Sequence, residues 1–151
     1  SSERGQAVHS LTADYDLGAI EDPVGVDSAY KGWLLAHVKA MSVLRPQILG
    51  VEQPMVHPLY RFGGRPDRDV VLYSTRAVLE LKSGLPHKAH PIQTALQAIL
   101  ISHDAALPPE TIQRFCLYLK PNGKFRLDQH RDRRDFDEAR RIIHACCRRA
   151  A

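Results

Sequence analysis

An α/β fold is predicted by three observations. Segments whose apolar residues alternate with period two lie between segments with helical spacing. Their order along the chain is α-α-β-β-β-α-β-β-α. The dipeptide Asn122-Gly123, flanked by two short apolar runs, is a hairpin signal. A length of 151 residues suits one domain, 1–151, built on one core.

Residues 4–17 are predicted to be a helix, with Ala7, Val8 and Leu11 as its apolar stripe. A Gly/Pro-marked loop follows from Gly18 to Gly25. Asp27 is an N-cap candidate for a helix over 28–45, where Trp33, Leu34, Val38, Met41 and Leu44 recur at helical spacing and Pro46 stops the run. Residues 48–58 are predicted as one strand with an irregularity at Gln53-Pro54. Residues 60–73, broken at Gly63-Gly64 and Pro66, are predicted as strand, break, strand. Thr75 to Lys82 is the next strand and Ser83-Gly84-Leu85-Pro86 the turn after it. Residues 91–102 form a helix with Ile92, Ala95, Leu96 and Ile99 inward, and 104–109 a loop. Residues 114–120 and 125–128 form a hairpin about Asn122-Gly123, with Phe115, Leu117 and Leu119 on one face. The last element is a basic helix over 134–149 whose apolar face is Phe136, Ala139, Ile142, Ile143 and Cys146.

Composition narrows the class. Hydrophobic residues at 44% and charged residues at 25% fit a globule that can bury a core. No apolar run approaches the roughly 20 residues of a membrane span, so no membrane role is expected. The opening residues show no charged–apolar–small pattern. Cys116, Cys146 and Cys147 are odd in number and lack zinc-ligand spacing, which points to a reducing, cytoplasmic setting. Charge is uneven: residues 1–110 carry 10 Lys/Arg against 12 Asp/Glu, and residues 111–151 carry 11 against 5. A basic C-terminal third suits a polyanion partner.

The chemistry is concentrated in Pro66-Asp67, twelve intervening residues, then Glu80-Leu81-Lys82. Strand alternation puts Val78, Glu80 and Lys82 on one face and Ala77, Leu79 and Leu81 on the other, where they can meet a core. Glu80 and Lys82 then make either an active-site edge or a surface ion pair. Asp69, two positions after Asp67, is an alternative ligand on the same face if the strand is regular there.

Other pieces fall in a fixed order around this pair: Arg4-Gly5-Gln6-Ala7-Val8-His9, Val51-Glu52-Gln53, Gly64-Arg65-Pro66-Asp67, and Gln93 followed one turn later by Gln97. This series resembles the PD-(D/E)xK nuclease superfamily, and within it the RecB-like and phage-type exonucleases. The resemblance implies a restriction-endonuclease-like α/β core, with a mixed central sheet flanked by helices and a metal site at the sheet's edge. It implies that His9, Asp67, Glu80 and the Leu81 carbonyl hold a metal, that Lys82 is the catalytic lysine, and that Gln93 and Glu52 belong to the catalytic group. Gln97 stands where that helix motif has Tyr, at a DNA-end contact.

Hard oxygen donors with one imidazole suit Mg²⁺ or Mn²⁺ better than zinc. Lys82 would hold or deprotonate the attacking water. Arg65 and Arg68 flank Asp67 and are candidate contacts for a phosphate near the cut. Arg131, Arg133, Arg134, Arg140, Arg141, Arg148 and Arg149 are candidates for tracking a backbone. The sequence shows no interleaving of aromatic and basic residues of the kind a single-strand stacking platform uses. The expected activity is metal-dependent hydrolysis of DNA from its ends, as in recombination, repair or phage DNA processing, with a recombination or replication protein as a candidate partner. The alternatives are an endonuclease of the same superfamily and a DNA-binding module without turnover.

Overall fold

The structure is a computed structural model that describes residues 2–150, with side chains through Cys147. Four α-helices are described: α1 (Glu3–Asp16), α2 (Lys31–Leu44), α3 (His90–Ala105) and α4 (Arg134–Ala150). Seven strands accompany them: β1 (Gln47–Val51), β2 (Met55–His57), β3 (Phe62–Gly64), β4 (Arg68–Leu72), β5 (Thr75–Lys82), β6 (Gln113–Leu119) and β7 (Phe125–Gln129). A short 3₁₀ turn at Pro109–Thr111 leads into β6.

Five strands make the main sheet in the order β1-β4-β5-β6-β7, and β2 with β3 forms a separate hairpin. Only β5 and β6 run parallel; the other pairs are antiparallel. The parallel pair needs a crossover, and α3 supplies it. This is the mixed sheet flanked by helices that was expected. β5 is its central strand, so Glu80 and Lys82 stand at the end of the middle of the sheet and not at its edge.

Both faces of β5 are covered. Ala77, Leu79 and Leu81 pack with Val8 of α1 and Ala36 and Ala40 of α2. Val78 packs on the opposite face with Ile99 of α3 and Phe136 of α4. A strand buried on both faces reads as a nearly continuous apolar run, and Ala77-Val78-Leu79 is such a run. Glu80, 6% exposed, interrupts it.

Two sequence expectations change. Residues 48–58 are two strands in different sheets: β1 ends at Val51, and Glu52 turns with φ 49° in the left-handed region. The helix expected over 28–45 begins at Lys31, because the Ser28 hydroxyl accepts the Tyr30 N–H in a turn and Asp27 caps nothing. α2 also approaches the β6–β7 turn closely. A Cβ on Gly32 would lie 1.9 Å from the Pro121 carbonyl oxygen, so only glycine lets α2 pass there.

Two buried arginines join the layers. Arg114 of β6 donates to Asp135 of α4 at 3.0 Å and to the Pro91 carbonyl at the start of α3 at 2.9 Å. Arg68 of β4 donates from Nε to Asp16 at the end of α1 at 2.7 Å, and His37 of α2 meets the same carboxylate at 2.8 Å. All three cysteines are free. No described helix is long and apolar enough to cross a membrane.

Candidate active site

Strand register builds the site. Val51 pairs with Arg68 and Arg68 pairs with Leu79. Continuing each ladder by one residue sets Glu52 beside Asp67 and Asp67 beside Glu80. Three carboxylates from three adjacent strands therefore form a row at one end of the sheet. The backbone confirms the row: the Glu52 N–H donates to the Asp67 carbonyl at 3.1 Å, and the Asp67 N–H donates to Glu80 Oε1 at 3.0 Å. The Leu81 N–H donates to Asp67 Oδ2 at 2.8 Å. Asp67 is thus held by main-chain groups of both neighbouring strands.

His9 reaches this row from α1. Its Nδ1 lies 3.3 Å from Asp67 Oδ1 and 3.9 Å from Glu52 Oε1. One donor atom each from His9, Glu52 and Asp67 lies within 4.8 Å of the others, a group that can hold a metal ion. Glu52 sits nearer the centre of this group than the sequence suggested. Glu80 stands beside it, drawn toward the Asp67 backbone. The donor set of carboxylates with one imidazole fits a hard divalent cation. The left-handed backbone at Glu52, strained for a residue with a side chain, recurs in other proteins where function demands it.

Packing negative groups together divides their protonation. Burial, then the Asp67 charge, pushes the Glu80 carboxyl well above the usual carboxylate range. Burial acts on Asp67 in the same direction. The hydrogen bond and charge of His9, with bonds from Glu80 and Leu81, outweigh it and hold Asp67 below its ordinary value. The hydrogen bond to Asp67 raises His9. Without a cation the two carboxyls oppose each other's ionisation, and Glu80 is the one whose proton is held to higher pH.

This makes Glu80 costly to the metal-free fold. A carboxyl whose folded pKa is raised contributes stability that is complete below its unfolded pKa and lost as pH rises through the folded value. Glu80→Gln keeps the shape and the donor to Asp67 but carries no proton to lose. In a chelator, the variant is expected to melt a few degrees above the parent at neutral pH, with the gap closing toward pH 4. Thermal melts across pH check this; equal melting at both ends would refute it.

Lys82 leaves β5 on the α3 face, and its Nζ donates to Gln93 Oε1 in the first turn of α3 at 2.7 Å. Lys82, Leu81, His9, Arg4 and His90 line one cavity of about 500 Å³. His9 also borders a second cavity of about 430 Å³, which Glu52 lines. His90 was not anticipated from sequence. Its Nδ1 meets the Tyr118 hydroxyl at 2.7 Å. Burial and the neighbouring Lys82 charge lower its pKa to about 4, so it is neutral beside the lysine.

Several expected contacts are corrected. Arg68 is 0% exposed and engaged with Asp16, while its Nη1 donates to the Asp67 carbonyl at 2.6 Å. It supports Asp67 from beneath and does not reach a bound phosphate. Asp69 shares the face of Asp67 but is closed by a two-pronged bond from Arg76 at 2.7 and 2.8 Å, so it is not a ligand. Gln97 lies under Gly64 with its Oε1 buried, so that oxygen does not face a DNA end. Arg65 is exposed.

Of the basic C-terminal set, Arg134, Arg140 and Arg141 pair with Asp132, Glu110 and Glu138. None of the described arginines of 131–141 lines the Lys82 cavity. The side chains of Arg148 and Arg149 lie outside the described residues.

A crystal structure of a protein from Eubacterium rectale, named as a candidate exonuclease, matches this architecture with a TM-score of 0.58. The likeness is one of fold. Sequence identity is 13%, and the match covers 99% of this chain and 66% of that one. No protein-family model matches the chain, and no curated protein matches it.

Proposed function

We propose that this protein is a metal-dependent deoxyribonuclease of PD-(D/E)xK type that removes nucleotides from DNA ends. The observation that carries the reading is the convergence of His9, Glu52, Asp67 and Glu80 with Lys82 at one end of the sheet. Resemblance in motif order and the fold shared with a candidate exonuclease support it.

A bound Mg²⁺ or Mn²⁺ supplies a Lewis acid that polarises the scissile phosphate and lowers the pKa of water. His9, Glu52 and Asp67 would hold it, with Glu80 joining once its proton is displaced. Lys82 has three N–H groups. Gln93 accepts one, which aims the ammonium and leaves two for a phosphate oxygen and the attacking water. As the water oxygen bonds to phosphorus and the ester oxygen departs, negative charge grows on the phosphoryl oxygens, and the fixed ammonium offsets it. The water's proton ends on the leaving oxygen. Neutral His90 adds no competing charge beside Lys82.

The test is to incubate the protein with end-labelled linear DNA and with covalently closed circular DNA, in Mg²⁺ and in chelator. Loss of linear DNA only, and only with metal, is expected. Cutting of the circle would replace the end-directed reading with an endonuclease. Binding of DNA without cleavage in any metal would leave a binding module.

A further inference from the structure

A third cavity, of about 480 Å³, continues from the Lys82 cavity past the turn that follows β5. The two share Arg4, Ser83, Gly84 and Leu85. Its walls come from four separate parts of the chain: Arg4, Trp33, Leu85, Tyr118, Lys120 and Arg126. These residues are scattered along the sequence, without aromatic–basic interleaving, and meet only in the fold.

The walls are fixed in place. The close approach at Gly32 sets the start of α2 against Pro121, and the Trp33 indole N–H donates to the Ser83 carbonyl at 3.3 Å. The Arg4 guanidinium lies over the Trp33 ring at 5.7 Å and reaches Ser83 Oγ at 3.4 Å. A guanidinium held this way sits on the border between the two cavities. Leu85, at 87% exposed, has no part in the core and stands at the rim. Arg126 is neutralised by Asp128 at 2.7 Å, while Arg4 and Lys120 carry the positive charge of the groove.

We infer that this groove is a subsite for a single DNA strand, taking the nucleotide next to the scissile phosphate. The inference rests on the nuclease reading and deepens it. The base enters against the half-buried Trp33 ring and the exposed Leu85, with the buried Tyr118 as the floor behind them, and its phosphate meets Arg4 and Lys120. A ring wall joined to a cationic track is what sequence-tolerant strand binding uses, because every base has a π face. A base stacked inside a duplex has both faces covered and its edge held by its partner strand, so the groove selects an unpaired end.

Trp33 is the only tryptophan of the chain, so its fluorescence reports on this groove alone. The test titrates the protein, in chelator, with a short oligothymidylate and with a duplex of matching length. Saturable quenching by the single strand, weakened by salt, is expected, with a smaller response to duplex. Lys120→Glu, at an exposed position, is expected to raise the single-strand Kd about tenfold without altering the thermal melt. An unchanged Kd in that variant, or binding seen by anisotropy with no change in Trp33 emission, overturns the subsite. Cleavage in Mg²⁺ is followed in parallel. Cleavage without quenching defeats the subsite and leaves the nuclease reading standing; quenching without cleavage keeps the strand subsite and defeats the nuclease reading.

Discussion

Lys82→Ala is expected to lower metal-dependent cleavage of linear DNA by about 10²–10⁴-fold while the protein still folds and still binds divalent metal. The side chain leaves β5 at its last residue, where the sheet ends and the cavity opens. Its partner in the structure is the Gln93 amide oxygen, 2.7 Å away. No carboxylate is bonded to it. An ammonium held by a neutral group keeps its charge for the substrate, whereas a surface ion pair with Glu80 would have spent it. Glu80 is instead turned to the Asp67 N–H. Gln93→Ala tests the same point more gently. It leaves the charge and removes the aim, so a loss of about 10–10² is expected, since misplacement alone can cost that much. Single-turnover rates of both variants beside the parent decide this. Cleavage by Lys82→Ala at the parental rate would remove the lysine from the chemistry.

The largest expected stability effect lies one residue from Asp67, at Arg68→Ala. Asp16, His37 and Arg68 form a cluster between α1, α2 and β4, and both the arginine and the histidine are fully buried. Burial raises the Asp16 carboxyl; the hydrogen bond and charge of His37 and those of Arg68 overcome it and leave Asp16 below its ordinary value. Removing the guanidinium leaves the buried Asp16 carboxylate with His37 as its one remaining charged partner and takes a donor from the Asp67 carbonyl. Breaking a buried pair in this way costs about 3–5 kcal/mol, a large part of the roughly 5–15 kcal/mol a domain of this kind has. A fall in Tm on the order of 10 °C is expected. A change of less than about 1 kcal/mol in denaturant unfolding would show that the cluster is not what joins α1 and α2 to the sheet.

Arg68 also shows where sequence reading stopped. Beside a proposed ligand, an arginine reads as a phosphate contact. Strand alternation puts Asp67 and Arg68 on opposite faces, however, and the partner that buries Arg68 is 52 positions away. Glu52 entered the catalytic group on resemblance alone; its place beside Asp67 follows from the antiparallel register of β1 and β4. Asp69 could not be separated from Asp67 by alternation, because both share a face; the bond from Arg76 separates them. By contrast, β5 was legible from end to end. Its apolar run, the acid within it and the Ser83–Pro86 turn after it are local features. So were the hairpin at Asn122-Gly123 and the helix carrying Gln93. The two-faced burial of β5 was not, because covering by α3 and α4 depends on the parallel crossover.

A titration of Mn²⁺ into the metal-free protein, followed by the loss of free-ion paramagnetic signal, tests the metal centre most directly. One ion per chain is expected, displaced by excess Mg²⁺, with affinity rising as pH rises because Glu80 must release its proton to join. Asp67→Asn is expected to abolish this binding and Glu52→Gln to weaken it. Mn²⁺ binding that is unaltered in Asp67→Asn would contradict a metal centre at His9, Glu52 and Asp67.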